Sequence, residues 1–338
     1  MSNMIRTLMT TSILLGAGLG QAHAQSGSFY KGRTIELLIG FSPGGGYDAY
    51  GRALATVFGK HVPGNPTVVV KNMTGAGSMR LALYLSDAAP KDGSTIGIFD
   101  NGLKVAPLLK PELAKFDPSK LGWIGAASND TQVCMTWAAA KTESLQEMKK
   151  REIPFGVTGL DDTRYMNTAM LRTVAGAKIK IIPGYPGSND IRLAMERGEI
   201  EGVCDSWQSL NATKAEWIRE KKINIVVQMT PRRIGDLPNV PTIMEAALPN
   251  ISKGALDLLT AMGEAGRAFA TPPGVPADRL EMLRRAFDKS VSDPEFLELA
   301  KKQQMELDPM KGEDVEKFIA KAYATAPKDV ELARKLIE

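Results

Sequence analysis

Thr34-Ile35-Glu36-Leu37-Leu38-Ile39-Gly40-Phe41-Ser42-Pro43-Gly44-Gly45-Gly46-Tyr47-Asp48 reads as a strand that empties into a glycine-rich loop and then enters a helix. Beyond the loop, Tyr50, Ala53, Leu54, Val57 and Phe58 recur at i, i+3, i+4, i+7 and i+8, the spacing of one helical face. Pro63-Gly64-Asn65-Pro66 stops that helix, and the β-branched run Thr67 to Lys71 predicts a second strand. Thr74-Gly75-Ala76-Gly77-Ser78 is another small-residue loop, opening a helix from Met79 to Ala88. After the turn Lys91-Asp92-Gly93, Thr95 to Phe99 predicts a third strand. Strands alternating with helices at this spacing imply parallel pairing through right-handed crossovers.

The pattern pauses at residues 101–120, with prolines at 107, 111 and 118, and then resumes. Strands are expected at Val133–Trp137, Ile153–Val157, Lys178–Ile182, Ile200–Cys204 and Ile223–Gln228, with helices at about 163–174 and 189–197. Ser144-x-x-Glu147 has the form of a capping box before a short helix. From Pro231 the chain reads as loop-rich, with helices at Ala277–Phe287 and Glu313–Tyr323. The expected architecture is α/β in two lobes, each a mainly parallel sheet flanked by helices. Residues 25–124 with about 229–338 make the first lobe and about 125–228 the second.

A length of 338 residues fits two lobes of ordinary size, and 43% hydrophobic with 24% charged residues fits a globular chain. Arg6, the apolar run Met9 to Leu19 and Ala22-His23-Ala24 form a cleavable export signal over residues 1–24, leaving Gln25 as the mature N-terminus. With no later run of 18 uncharged apolar residues and no cysteine near the cleavage point, the reading is a chain released outside the cytoplasm and not inserted in the membrane. Lys and Arg total 42 against 38 Asp and Glu, a net charge of +4 spread along the chain, and aromatics are 6%. That composition excludes a nucleic-acid track or a base-stacking platform. Of 2 histidines His23 leaves with the signal, so His61 alone remains and histidine catalysis or a histidine-rich metal site is disfavoured.

The first loop admits three chemistries. A nucleotide-hydrolysing phosphate loop needs Lys-Ser/Thr where Gly46 and Tyr47 stand. Gly40-x-Ser42-x-Gly44 matches a nucleophile elbow, but the next residue, Pro43, has no N–H for an oxyanion hole, and His61 lies at the far end of the following helix. The third is anion binding by backbone. Here the N–H groups of Gly44, Gly45, Gly46 and Tyr47 converge at a helix N-terminus that Asp48 is expected to cap. A tight turn without a ligand is the competing reading. Gly75-Ala76-Gly77-Ser78 repeats the arrangement after the next strand. In the second lobe, Thr158-Gly159-Leu160-Asp161-Asp162-Thr163-Arg164 and Gly184-Tyr185-Pro186-Gly187-Ser188 likewise follow strands and open helices. Four loops at strand ends of two lobes describe a cleft.

Pro43-Gly44-Gly45-Gly46-x-Asp48, Asn72-x-x-Gly75-Ala76-Gly77, Pro90-x-Asp92-Gly93, Gly184-Tyr185-x-Gly187, Gly198-Glu199-Ile200 and Pro238-x-Val240-Pro241-Thr242 occur in an order that resembles the Bug (TctC-like) solute-binding proteins of tripartite tricarboxylate transporters. The resemblance covers almost the whole mature chain. It implies a periplasmic, type II-like two-lobe fold that closes on a small carboxylate, held at these loops by backbone amides and waters, with no cofactor. One departure stands out: where such proteins often carry a serine-rich loop ending in histidine, this chain has Asp161-Asp162-Thr163-Arg164. Arg164 either binds a second carboxylate or pairs with the neighbouring acids, and the acids would favour an amino or hydroxyl group.

The expected function is capture of a small organic acid and its delivery to membrane-embedded transporter subunits, by a monomer that does no chemistry. Ser42, Gly44 to Tyr47 and Gly75 to Ser78 serve from the first lobe, and Thr158, Thr163, Arg164, Tyr185, Gly187, Asp205 and Trp207 from the second. An exported serine hydrolase using Ser42 and a ligand-sensing subunit for a membrane kinase are the alternatives. Cys134 and Cys204, each in an expected strand of an exported chain, form a disulfide or remain two buried thiols. Trp123 and Trp137 are expected in the core.

Overall fold

The computed structural model describes residues 29–113 and 115–338. The expected export signal and its cleavage point lie outside the described residues. Among those described, two sheets form. The first takes β1 (Thr34–Ile39), β2 (Thr67–Asn72), β3 (Thr95–Ile98), β4 (Gly122–Ala126), β10 (Ala268–Thr271) and β11 (Met310–Lys311), in the order β11-β4-β10-β3-β1-β2. The second takes β5 (Gln132–Trp137), β6 (Ile153–Gly156), β7 (Ile179–Ile182), β8 (Gly202–Ser206) and β9 (Ile223–Gln228), in the order β7-β6-β8-β5-β9.

Both sheets are mixed. β1 lies parallel between β2 and β3, and β6 parallel between β7 and β8, where strand–helix alternation predicts it. Antiparallel partners complete each sheet. β10 runs between β3 and β4, β11 flanks β4, and β5 joins β8 to β9. The chain leaves the first sheet between Ala126 and Gln132 and returns after Gln228. One buried cluster runs without a break from Leu38 and Trp123 to Met166 and Val227, so both sheets share it.

Helix α1 (Gly46–His61) buries the face that its spacing predicts, Tyr50, Ala53, Leu54, Val57 and Phe58. Each large side chain so buried contributes roughly 1.5–3 kcal/mol, more than helix propensity supplies. Its cap differs from expectation. Gly45 is the N-cap, and Asp48, one turn in, reaches back to accept from the Gly44 amide at 3.0 Å. Helices α2 (Thr163–Thr173), α3 (Ser188–Glu196) and α4 (Trp207–Arg219) belong to the second sheet's side. Asp162 caps α2 by accepting from the Tyr165 amide. The chain ends in α5 (Lys253–Thr260), α6 (Ala277–Ser290), α7 (Pro294–Lys302), α8 (Gly312–Tyr323) and α9 (Pro327–Leu336).

The helix expected from Met79 begins as α and loosens into a π-turn over Tyr84–Ala88. Only half of the capping box forms. Ser144 accepts from the Glu147 amide, but the Glu147 carboxylate takes the Glu143 amide instead of that of Ser144. Cys134 stands directly opposite Cys204 in the β5–β8 register, and the two form a disulfide, which removes the free-thiol alternative. Trp123 is core, and Trp137 packs edge-on to Trp217.

Candidate functional site

The four loops meet where the lobes face each other. The Ser42 amide donates to the Pro186 carbonyl at 3.2 Å, and its hydroxyl donates to Asp190 Oδ2 at 2.5 Å. A side chain at Gly187 would collide with Ser42, since a Cβ there would lie 2.4 Å from Oγ. Gly159 packs against the Ala76–Gly77 peptide. Gly77 holds φ at +57°, and a Cβ on it would fall 2.7 Å from Asp162 Oδ2. These close approaches explain why both lobes need small residues at this seam.

Not every expected amide is available. That of Gly44 is taken by Asp48, whose carboxylate also accepts from Arg52 Nε and Asn72 Nδ2, each at 2.9 Å. Burial opposes ionisation of Asp48, but these hydrogen bonds hold its pKa below the ordinary carboxylate range.

Arg164 is buried at the seam with its guanidinium carbon 5.5 Å from the Phe41 ring centre. Neither adjacent acid pairs with it. Its partner is Asp205, reached from Nη2 to Oδ1 at 2.6 Å, and the same Nη2 bonds the Ser188 hydroxyl. Asp205 Oδ2 takes Arg192 through Nη2 at 2.7 Å and Nε at 3.1 Å, and Oδ1 also accepts the Ser206 amide at 2.9 Å. Two buried guanidinium groups thus share one carboxylate. Burial would raise the Asp205 pKa, but Arg192 and Arg164 overcome it and drive it well below the ordinary range. Arg164 Nε is buried without an acceptor.

Beside this positive group lie three carboxyls. Asp100 Oδ1 accepts from the amides of Thr163 and Gly102, both at 2.8 Å, and from the Thr163 hydroxyl at 2.6 Å. Asp162 accepts from Thr158 Oγ1 and the Tyr165 amide. Burial, aided by mutual repulsion, pushes Asp100 and Asp161 each up to about 6. Beneath them, Tyr47 Oη accepts the Asn101 amide at 3.0 Å, and Asn101 bonds Asp130 and Lys104. Arg267 links Asp130 to Ser206 across the lobes. Burial lowers Lys104 to about 7, despite Asp130 and Asp100.

Most expected residues therefore gather, although several serve one another. Ser78 Oγ accepts the Asp100 amide at 3.0 Å, and Tyr185 is half-buried at the rim. Trp207 packs instead among Val133, Leu210 and Trp217, its indole donating to Asp236. His61 pairs with Asp293 at 2.6 Å, at the opposite end of α1 from Ser42, so no histidine among the described residues assists that hydroxyl. Among the described residues no group of three or more His, Cys, Asp or Glu is placed to hold a metal, and no helix is long and apolar enough to cross a membrane. Sequence reasoning missed Asp100, Arg192 and Arg267. Asp100-Asn101-Gly102 follows β3, parallel to β1, on the sheet edge that carries the two glycine loops, and that position was the available signal.

Two mixed α/β sheets sharing loops at a common seam define the class of two-lobed binding proteins. The chain belongs to the tripartite tricarboxylate transporter family of receptors (TctC), whose model matches residues 52–331. It is 27% identical over 308 residues to a UPF0065 protein of the tcbD–tcbE intergenic region in Pseudomonas sp. (strain P51), covering 89% of this chain and 86% of that one. The fold is that of the periplasmic binding protein BugD, with TM-score 0.71 at 21% identity over 91% of this chain and 98% of that one. An R. palustris protein solved with adipate aligns with TM-score 0.70 at 19% identity, over 89% and 97%. Family and fold are those of substrate-binding receptors rather than enzymes.

Proposed function

We propose that the chain is the periplasmic receptor of a tripartite transporter, that it captures a small organic carboxylate between its lobes as a monomer, and that it presents the closed, loaded form to membrane subunits. The observation that carries this is the buried Arg164–Asp205–Arg192 group. It holds two positive charges against one negative, and one guanidinium N–H lacks an acceptor. A ligand carboxylate would neutralise the excess charge and satisfy that donor. The glycine-rich turn at the α1 N-terminus and the Gly75–Ser78 loop, both at strand ends of the first sheet, support the same reading from the first lobe. The adipate bound by the R. palustris neighbour agrees with it.

Closure by hinge motion about the two crossing segments would bring the loops onto the ligand. The experiment is calorimetric titration of wild type and Arg164→Met with mono-, di- and tricarboxylates, after circular dichroism confirms the variant's fold. Wild type binds at least one of them. The variant binds it roughly 10- to 150-fold more weakly, as loss of a hydrogen bond to a charged group requires. Binding of no carboxylate by wild type rejects the proposal. The hydrolase alternative is disfavoured because the Ser42 hydroxyl bonds Asp190 and, among the described residues, the one histidine lies at the far end of α1.

A further inference from the structure

A cavity of about 600 Å³ opens beside the hinge. The two crossing segments line it with Asn129–Gln132 and Met229–Pro231, together with helices α5 and α8. It is separate from the seam, since none of Ser42, Gly44 to Tyr47, Gly75 to Ser78, Arg164 or Asp205 borders it. Its apolar lining is Val105, Met229, Leu258, Phe318 and Ala322, all from the core cluster that both lobes share. That size and that lining fit a small organic molecule.

A second, independent feature is Gln132, a cavity-lining residue only 7% exposed. It shares a face of β5 with Cys134, which belongs to that same core cluster, whereas Val133 and Met135 point to the opposite face and pack in another. The Gln132 side chain is therefore directed into the cavity. Among the described residues its carboxamide has no hydrogen-bond partner, and burying such a group unpaired is unfavourable. The charges around the cavity leave nothing to attract an ion. Asp130 is paired with Arg267 at 3.0 Å and Asp257 with Lys253 at 2.6 Å, and the exposed Glu264 and Lys321 are opposite in sign.

We infer that this cavity is a second binding site, distinct from the carboxylate cleft, for a small neutral molecule that carries an amide or lactam on an apolar ring. The ligand N–H and C=O pair with Oε1 and Nε2 of Gln132, and the ring rests among Phe318, Leu258 and Val105. A carboxylate would gain only one of those two bonds and would bring a charge that no free cation inside the cavity balances. The site stands apart from the carboxylate-receptor reading, and either can fail alone.

The test follows the Met229 methyl, which lines the cavity, by magnetic resonance of protein labelled on its methionine methyls, with Met229→Leu to assign the signal. Three probes share one ring. Benzamide offers the matched donor and acceptor, acetophenone the acceptor alone, and benzoate a charge. Benzamide is expected to shift the Met229 methyl saturably, with a dissociation constant of about 1 mM as suits so small a molecule. It should bind at least about tenfold more tightly than either of the others. Gln132→Met, which keeps the length of the side chain and removes its amide, should bring benzamide within about threefold of acetophenone. Ala322→Phe, which fills the cavity, should remove the response to all three. Circular dichroism checks both variants, and where neither folds, wild type alone decides through the saturable shift and the ratio. No saturable shift at millimolar benzamide, acetophenone or benzoate matching it, or an unchanged response in a folded Gln132→Met or Ala322→Phe each overturns the inference and leaves the carboxylate cleft untouched.

Discussion

Asp205→Asn replaces the one negative charge between two buried guanidinium groups with a neutral amide of the same shape. Asp205 is 1% exposed and Arg192 0%, so water cannot take over the lost role. The carboxylate accepts from Arg164, twice from Arg192 and once from the Ser206 amide. Asparagine keeps one acceptor oxygen and turns an N–H toward a guanidinium N–H. Removing one partner of a buried ion pair in this way costs about 3–5 kcal/mol. Denaturant unfolding with the disulfide intact should show a lower midpoint at unchanged slope. The pH dependence carries a sign. The folded-state pKa of Asp205 is depressed, so its contribution is complete above the unfolded value of about 3.9 and fades as pH falls toward the folded one. The gap between wild type and variant should therefore be full at pH 7 and narrow below about pH 4. A gap under about 1 kcal/mol at pH 7 would refute the idea that Asp205 neutralises both arginines.

Replacing Cys134 and Cys204 by alanine opens a loop of sequence separation 70 and should cost roughly 4 kcal/mol by the chain-entropy model, read from unfolding midpoints. Asp100 and Asp161 titrate near 6 when folded and lower when unfolded, so the folded state binds more protons between these values. The melting temperature of unliganded protein should accordingly rise as pH falls from 6.5 to 4.5, below the titration of Lys104 at about 7; a fall over that window contradicts the burial of these acids. Gly77→Ala puts a Cβ against Asp162 in left-handed backbone and should weaken ligand binding at least about tenfold by holding the lobes apart. Small-angle scattering would report a larger unliganded radius of gyration, and an unchanged radius with normal affinity would show that the seam gives way. Ser42→Ala loses only the bond to Asp190 and should cost under about 1.5 kcal/mol of affinity by calorimetry, whereas complete loss would make Ser42 a principal contact.

The parts of the fold that were legible have local causes. Helix α1 is read correctly because one apolar face repeats through it, and β2 because of its β-branched run. β4 escapes notice because Gly122-Trp123-Ile124-Gly125-Ala126 has glycine at two positions and little β-branching; its strand character comes from the neighbours on either side. β10 is short and alanine-rich, and nothing local announces that it enters between β3 and β4. The strand expected over Ile200–Cys204 is β8 at Gly202–Ser206, two residues further on, because Asp205 and Ser206 carry no β-branching to mark them. They stay in the strand since Arg164, Arg192 and Arg267 satisfy them from distant elements. The site follows the same rule. Glycine loops are visible at once, while Arg192 and Arg267 acquire their roles only through contacts many residues away.

β10 and β11 come from the last third of the chain, yet β10 stands inside the first sheet. A polypeptide delivered from its N-terminus therefore has every strand of the second sheet, residues 132–228, in hand while the first still has a gap between β3 and β4. The second lobe has the means to fold as a unit during delivery. The first must wait with two exposed strand edges until residues 268–271 arrive. During that interval the emerging chain is most vulnerable to aggregation, which makes it the stage at which holding chaperones have most to protect. A chain cut short near residue 260 would be stranded there.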